Sequence, residues 1–153
     1  MIQLELVVAR DSAGGIGIDG ALPWRLPGDL RHFVAVTKSP RLPGTVNAVL
    51  MGRKTWESIP ARFRPLKGRT NVVLTRQPHY SAGPGVLVAD SLDAGIAAAQ
   101  ASATIGRFLV VGGGDVYAQC LARPDCIRAF VTEVDGDFGC DTSIRLDDAW
   151  QLT

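Results

Sequence analysis

The segment LPWRLPGDLRHF (22–33) places one carboxylate, Asp29, among apolar side chains. Leu30 and Phe33 follow it at helical spacing, so Asp29 is predicted to lie in the first turn of a helix, where an acid is favoured and often acts as a cap. Trp24 crowds the same segment, and a carboxylate that loses its water has a raised pKa and can recognise or relay a proton. A helix cap and the acid of a cleft both fit these residues.

Three further segments contain the residue types that bind anions, and the first is MGRKTWESI (51–59). Here the cations Arg53 and Lys54 begin a predicted helix at the positive end of its dipole, which is unfavourable for an isolated helix. A bound phosphate would relieve this conflict and would also accept a hydrogen bond from the Thr55 hydroxyl. The alternative is a solvated basic turn.

The second and third segments also follow predicted strands. In VVGGGDVYAQCL (110–121) the glycines permit a pyrophosphate to approach a helix start closely, although the spacing is not GxGxxG and tight helix–strand packing would also explain them. Asp115 suits a helix start but would repel a nearby phosphate. In LTRQ (74–77), Thr75 and Arg76 suit a phosphate monoester such as the 2′-phosphate of NADP, although a single loop arginine is usually just solvated. Strand ends line one crevice in open α/β sheets, so we expect one shared site.

Alternating strands and helices are expected to position these segments. Apolar runs bounded by turn residues predict strands at 4–9, 46–51, 71–75, 86–89, 108–112 and 129–134. Helical patterns predict helices at 29–38, 53–58, 92–101 and 115–122. Several strands are apolar on both faces, which predicts a single α/β domain over residues 1–153 with a mostly parallel central sheet flanked by helices. The loop DSAGGIGIDGA (11–21) is either a mobile lid or an ordinary surface turn.

The composition argues against several classes of partner. A net charge of +1 over 153 residues does not favour a nucleic acid or a membrane held by bulk electrostatics. Cys120, Cys126 and Cys140 lack CxxC spacing and are interpreted as reduced thiols, and the two histidines lack metal-ligand spacing. The chain also has no apolar segment of membrane-spanning length and no signal-peptide pattern. We expect a cytoplasmic protein without a metal.

Five motifs occur together: LPWRLPGDLRHF, MGRKTWESIP, PLKGRTNVVLTRQ, VVGGGDVYAQ and VTEVD. In this order and spacing the chain resembles the dihydrofolate reductase family, from residue 1 to about Trp150. The resemblance implies the fold of that family and the reduction of 7,8-dihydrofolate to 5,6,7,8-tetrahydrofolate in one-carbon metabolism. NADPH would supply the hydride to C6, and N5 would be protonated. Binding of antifolate inhibitors is implied as well.

The resemblance also implies roles around the pterin. Asp29 matches the sole ionisable group of the pterin pocket, which pairs with N3 and the 2-amino group and favours protonation of N5. Thr132 matches a hydroxyl that hydrogen-bonds this carboxylate, and Trp24 matches an indole that holds a water beside it. Leu22 matches the lid residue over the nicotinamide, and Arg69 matches the arginine that binds the glutamate α-carboxylate. The other expected substrate contacts are apolar: Val7, Leu30, Phe33, Ile59 and Leu66.

On the cofactor side, Ala9 and Ile16 match positions that contact the nicotinamide, and Asp141 matches a loop acid that supports the closed lid. The glycine turn of the family contains a cis Gly-Gly bond, which is costly for ordinary residues. The full set of NADPH contacts implied by the resemblance is Ala9, Ile16, Gly52, Arg53, Lys54, Thr55, Leu74, Thr75, Arg76, Val111, Gly112, Gly113, Gly114, Asp115, Val116 and Tyr117.

The C-terminus departs from the family pattern. Family members continue past the Trp150 region with two strands that form an antiparallel hairpin, whereas this sequence stops at WQLT. We expect that hairpin to be missing here through truncation or incomplete representation. A monomer is the expected state, with a strand-exchanged dimer as the alternative if the chain ends at Thr153.

Two other functions fit parts of the sequence. The related reductase of riboflavin synthesis shares the fold and NADPH, but it has no use for a buried acid after the PW pair or for an arginine that binds a glutamate tail. Asp29 and Arg69 therefore argue against it. A truncated, non-catalytic NADPH-binding module would bind the cofactor without turnover.

Overall fold

The computed structural model of the chain describes residues 2–18, 27–39, 42–146 and 150, with residues 27–30 described by their backbone. The strands are β1 (Leu4–Asp11), β2 (Gly15–Gly17), β3 (Val46–Gly52), β4 (Arg69–Leu74), β5 (Leu87–Ala89), β6 (Ile105–Gly112), β7 (Cys126–Val134) and β8 (Thr142–Ser143). The helices are α1 (Pro27–Lys38), α2 (Arg53–Ser58), α3 (Leu92–Ser102) and α4 (Gly114–Leu121), with a short 3-10 helix at Ala61–Phe63.

Six strands form the central sheet in the order β5-β4-β3-β6-β1-β7, and every pairing among them is parallel. Parallel neighbours need crossover connections, and helices lie in all of these connections except that from β4 to β5, where residues 75–86 form no helix. The predicted parallel α/β sheet flanked by helices is confirmed.

Both faces of the sheet are buried, which explains the continuous apolar runs. In β3, Ala48 and Leu50 pack in one cluster with α3 and α4, while Val49 and Met51 pack in a second cluster with Trp56 of α2 and with α1; all four strand residues are fully buried. Successive side chains of a strand point to opposite faces, so a strand covered on both sides has no polar face.

Strands β6 and β7 begin earlier than their apolar runs predict, at Ile105 and Cys126. Each extension includes one arginine that pairs with Glu5 of β1: Arg107 Nε lies 2.7 Å from the Glu5 carboxylate, and Arg128 Nη1 lies 3.0 Å from it. Glu5 is 2% exposed, and a buried carboxylate is tolerated where cations and hydrogen bonds compensate for its lost water. The arginine interrupts each apolar run, which is why the run alone places the strand start too late.

The glycine-rich loop after β1 contains structure that its composition does not indicate. Strand β2 pairs antiparallel with β8, with Gly15 opposite Ser143 and Gly17 opposite Thr142. The described part of the loop, up to Ile18, is therefore tied to a segment far along the chain. Within the described residues, no helix is both long and apolar enough to cross a membrane.

Candidate active site

The carboxyl ends of the central strands bring the predicted site residues to one edge of the sheet. Ala9 at the end of β1 lies opposite Thr132 in β7, and Gly52 at the end of β3 lies opposite Leu74 in β4. On the other side of β3, Met51 pairs with Gly112 of β6. Since parallel strands share one carboxyl edge, the predicted nicotinamide and phosphate contacts border a common crevice.

A glycine turn between β6 and α4 is pressed against the start of α2. The Gly112-Gly113 peptide bond is cis, as the family resemblance implies. A Cβ at Gly112 would lie 2.8 Å from Thr55 Oγ1, and one at Gly113 would lie 3.1 Å from the same atom. Only glycine fits so close to Thr55, so two of the three predicted anion-binding segments form one cradle.

Helices α2 and α4 both begin at a glycine, Gly52 and Gly113 respectively, and within the described residues neither start has a side-chain cap. The first N–H groups of a helix have no intrahelical partner and carry the positive end of its dipole. Two such starts at one edge favour a ligand with several negative charges, such as a pyrophosphate.

The predicted cations near this cradle differ in their surroundings. Arg53 Nη1 donates to Glu57 Oε1 at 2.7 Å, one helical turn away, so this guanidinium already has an acid partner. Lys54 and Arg76 are exposed. Thr75 Oγ1 accepts a hydrogen bond from the Gln77 N–H at 3.1 Å, which shapes the turn after β4. Exposed cations can reach a phosphate without breaking an internal ion pair.

The predicted apolar wall gathers around the second core cluster. Val7 is buried in it, and Phe33, Ile59 and Leu66 pack against it while keeping part of their surface accessible. The backbone of Asp29 lies in the first turn of α1. A half-buried apolar wall beside a helix start is suited to a flat aromatic ligand.

Arg69 borders the far end of this wall, where α1 ends. Its Nη1 donates to Thr37 Oγ1 at 2.8 Å and its Nε donates to Lys67 O at 3.0 Å. Thr37 is fully buried, and its hydroxyl donates to Phe33 O at 2.7 Å. Burial lowers the pKa of Arg69 from its usual value. The guanidinium is therefore held in one orientation beside Phe33.

Asp11 fastens the glycine-rich loop, a role that the sequence interpretation missed. Its Oδ1 accepts from Gly15 N–H at 2.7 Å and from Ala13 N–H at 2.9 Å, and its Oδ2 accepts from Phe138 N–H at 3.0 Å. These bonds, led by that from Phe138, lower the pKa of Asp11. The local signal was an aspartate before a glycine turn, which can bond backbone N–H groups a few residues on.

The partner loop supports the same arrangement. The Asp141 N–H donates to Gly17 O at 3.0 Å, and the Ile144 N–H donates to Gly14 O at 2.9 Å. A Cβ at Gly15 would lie 2.7 Å from Cys140 Sγ, so the two loops approach closely. Ile16 is buried between them and the first core cluster.

A family model described as dihydrofolate reductase matches residues 3–153. The chain belongs to the dihydrofolate reductase family. The dihydrofolate reductase of Heliothis virescens is 38% identical, with 92% of this chain and 78% of that protein covered. The structure of Schistosoma mansoni dihydrofolate reductase matches with a TM-score of 0.84 and 33% identity, covering 97% of this chain and 82% of that one. The family and the fold predicted from the five motifs are confirmed.

Other relatives are much longer than this chain. The bifunctional dihydrofolate reductase-thymidylate synthase of Glycine max is 43% identical over 143 residues, which is 90% of this chain but 27% of that protein. A bifunctional relative from Daucus carota is 42% identical over 93% of this chain and 28% of its own length. The chain thus spans about a quarter of these bifunctional relatives of the dihydrofolate reductase family.

The structure places the predicted residues at the ends of β1, β3, β4 and β6 at one edge of the sheet and leaves other predicted residues undescribed. Leu22 and Trp24 lie outside the described residues, as do the side chains of Asp29 and Leu30. The Tyr117 side chain is buried, and its hydroxyl donates to Val7 O at 2.7 Å, which joins α4 to β1. The catalytic and binding roles of the predicted site residues stay predictions.

Proposed function

We propose that the chain is a dihydrofolate reductase that uses NADPH to reduce 7,8-dihydrofolate to 5,6,7,8-tetrahydrofolate, with residues 1–153 as a single domain. The observation that carries this proposal is the cradle in which Gly112 and Gly113 lie against Thr55, between two helix starts without side-chain caps. That arrangement fits the pyrophosphate of a dinucleotide.

The residues around the cradle fit the rest of NADPH. Lys54, Thr75 and Arg76 provide charge and hydrogen-bond donors for the 2′-phosphate, and Arg53 joins them from its pair with Glu57. The ends of β1 and β6, with Ala9 and Ile16, hold the nicotinamide beside the wall. The remaining contacts proposed for the cofactor are Gly52, Leu74, Val111, Gly114, Asp115, Val116 and Tyr117. When bound, NADPH supplies the hydride that goes to C6.

The protein contributes position and a proton. Asp29 would pair with N3 and the 2-amino group of the pterin and favour protonation at N5, supported by Thr132 and by a water held at Trp24. Arg69, oriented by Thr37, would bind the glutamate α-carboxylate. Val7, Leu30, Phe33, Ile59 and Leu66 would form the apolar surroundings of the substrate. Protonation of N5 requires a positioned group that can hold and pass a proton, and a carboxylic acid is such a group.

Leu22 and Ile16 belong to the loop that would close over the nicotinamide and exclude water. The bonds from Asp11 and the pairing of β2 with β8 support this loop in one position. A dry site favours hydride transfer because it removes competing water from the reacting atoms.

The test is a turnover assay of purified protein that follows the loss of NADPH absorbance with and without dihydrofolate. Asp29→Asn keeps the shape of the side chain but cannot carry a proton, so the rate should fall by about a hundredfold near neutral pH, and further at higher pH. Asp93→Asn is the matched control, because Asp93 is also an acid in the first turn of a helix and its exposed carboxylate pairs with Arg123, which is outside the proposed site. The control should keep its rate.

Three outcomes would contradict parts of the proposal. Full activity of Asp29→Asn above neutral pH would remove the proton role of this acid. Turnover of a pyrimidine substrate of riboflavin synthesis in place of dihydrofolate would assign the alternative reductase. NADPH binding in calorimetry without any turnover would assign the non-catalytic module.

Binding of a protonated diaminopyrimidine antifolate is expected to weaken strongly in Asp29→Asn. The monomeric state and the cytoplasmic location stay predictions.

A further inference from the structure

Cys120 and Cys126 form a thiol pair that the proposed reductase function does not use. Cys120 lies in the last turn of α4 and is fully buried, whereas Cys126 begins β7 and is half-buried. The two sulfur atoms are 3.3 Å apart, and the Cys120 thiol donates to Cys126 Sγ. Two thiols at this separation need only small side-chain rotations to reach the roughly 2 Å of a disulfide bond.

The turn between the two cysteines is held by several hydrogen bonds. The Arg123 N–H donates to Cys120 O at 3.0 Å, and the Cys126 N–H donates to Arg123 O at 3.3 Å. The Arg123 guanidinium donates twice to the Asp125 carboxylate, at 2.8 and 2.9 Å, and once to Asp93 of α3. These bonds hold residues 121–125 in one path, which keeps the two sulfur atoms next to each other.

The pair is chemically asymmetric. The hydrogen bond from Cys120 lowers the pKa of Cys126, and the same bond, together with burial, raises the pKa of Cys120. Burial and then the Asp11 charge raise the pKa of the third cysteine, Cys140. The thiolate is the reactive form of cysteine, so Cys126 is expected to react first.

We propose that Cys120 and Cys126 are a peroxide-oxidisable dithiol that closes to an intrachain disulfide. The Cys126 thiolate attacks one oxygen of hydrogen peroxide, an S–O bond forms as the O–O bond breaks, and the released hydroxide takes a proton to become water. Cys120 sulfur then attacks the Cys126 sulfenic acid, forms the S–S bond and displaces hydroxide, which leaves as water with the Cys120 proton. Two electrons pass from the sulfur atoms to the peroxide, and two waters are produced.

The cross-link would join the end of α4 to the start of β7. The glycine cradle lies at the opposite end of α4, roughly 10 Å away along the helix axis. The disulfide should therefore raise the Tm by several degrees, because it restricts the unfolded chain, and should leave NADPH affinity within about twofold. Since the pair is independent of the crevice, this inference does not rest on the proposed reductase activity.

The experiment oxidises the fully reduced protein with hydrogen peroxide, blocks the remaining thiols and digests with a protease that cleaves before aspartate. Cleavage before Asp115, Asp125 and Asp135 separates the cysteines into peptides 115–124 and 125–134. The expected result is a peptide pair joined without reductant, with a mass about 2 Da below the sum of its free thiol forms, and with Cys140 blocked as a free thiol. Unlinked peptides with both thiols free, oxidation of Cys140 first, or a bond that involves Cys140 would overturn the proposal.

Variants separate the two steps. In Cys120→Ser, whose hydroxyl can still donate to Cys126 Sγ, the sulfenic acid on Cys126 should persist and be captured by a dione reagent, whereas Cys126→Ala should leave Cys120 unoxidised. Cys140→Ser is the matched control and should still form the linked pair. Capture of Cys120 in Cys126→Ala would reverse the assigned order and overturn the proposed roles. If Cys120→Ser does not fold, the digest of the wild-type protein and the variant Cys126→Ala, which changes the more exposed cysteine of the pair, still test the proposal.

Discussion

Helices α3 and α4 cover the same face of the sheet but begin in different ways. At α3, the Ser91 hydroxyl accepts a hydrogen bond from the Ala94 N–H at 3.0 Å, so one of the N–H groups without an intrahelical partner is bonded by a side chain of the protein. At α4, Gly113 provides no side chain, and within the described residues no other side chain caps that start. One unpaired N–H group at the start of α3 is thus bonded by a side chain of the protein, whereas no described side chain bonds those of α4, and the proposed function assigns the latter to the phosphates of NADPH.

Asp11 extends this comparison to the glycine-rich loop. Its carboxylate accepts from the Ala13 and Gly15 N–H groups of that loop and from the Phe138 N–H, so these donors, like the Ala94 N–H of α3, are bonded within the protein. The proposed function leaves the donors at α4 for a ligand. We therefore expect substitutions at the cradle to change NADPH affinity, substitutions at Asp11 to change hydride transfer, and substitutions at the start of α3 to change the free energy of unfolding.

The largest effect should come from filling the cradle. In Gly112→Ala the new Cβ would lie 2.8 Å from Thr55 Oγ1, and the residue has a φ of 153° that side chains rarely adopt. Strain and overpacking of this kind each cost about 1–3 kcal/mol, so NADPH affinity should fall on the order of a hundredfold. A fluorescence titration with NADPH measures this loss.

Gly44→Ala is the matched control for that substitution. Gly44 also has a positive φ, of 79°, but a Cβ there meets no atom within 4 Å. It should cost stability through its backbone alone and leave NADPH affinity intact. Equal affinity losses in both variants would show that backbone strain, and not the cradle, controls binding.

The next effect concerns the glycine-rich loop, which is proposed to be the lid. An asparagine has one amide oxygen where Asp11 has two carboxylate oxygens, so in Asp11→Asn either the Phe138 N–H or the Ala13 and Gly15 N–H groups lose their acceptor. The glycine-rich loop should then separate more easily from the loop that contains Phe138. Hydride transfer in single-turnover measurements should slow roughly tenfold, because the loop would be closed over the nicotinamide for a smaller fraction of the time. Unchanged transfer with unchanged stability would mean that β2 and β8 hold the lid without Asp11.

The pH dependence of stability gives a second readout for Asp11. Its pKa is lowered from the usual 3.8 by hydrogen bonds that exist only in the folded chain. The stabilisation is therefore complete above that usual value and is lost as the pH falls through the lower folded value. The stability gap between wild type and Asp11→Asn, measured by urea unfolding, should narrow below about pH 4.

The fold and the family could be predicted from the sequence because their signals are local. Strands covered on both faces produce continuous apolar runs, and the five motifs each lie within a short segment. Strands β2 and β8 gave no such signal, because they have three and two residues and pair across more than a hundred positions. The role of Asp11 was missed for the same reason, since its Phe138 donor is distant in sequence.

At the candidate site, too, the residues could be predicted from local patterns, whereas the contacts between distant segments could not. The glycines and Thr55 were recognised from their order along the chain, but their contact depends on how β3 and β6 pair. Arg53 was predicted as a phosphate contact, whereas the structure also pairs it with Glu57, four residues on, which the helical spacing could have indicated. The thiol pair escaped notice because Cys120 and Cys126 lack a known metal or redox spacing.

A smaller effect is expected at the capped helix. Ser91→Ala removes the acceptor of the Ala94 N–H and should lower the free energy of unfolding by about 1 kcal/mol. NADPH affinity should not change, because the substitution leaves the cradle residues Thr55, Gly112 and Gly113 as they are. Ser102→Ala, at the other end of α3, removes only a hydroxyl that donates to Ala99 O and should cost less. A change in affinity with Ser91→Ala would mean that α3 and α4 are not separate in function.

The smallest effect should appear at Asp115, the acid in the first turn of α4. An acid stabilises a helix start that has no ligand, but it repels a phosphate bound at the same donors. Asp115→Asn should therefore tighten NADPH binding by about threefold at low ionic strength, and by less at high salt because exposed charges are screened. Asp93→Asn makes the same change at the start of α3 and should leave the affinity unaltered. Weaker binding by Asp115→Asn would mean that this acid orients the cofactor instead of repelling it, and the donors at α4 would then serve a group other than a phosphate.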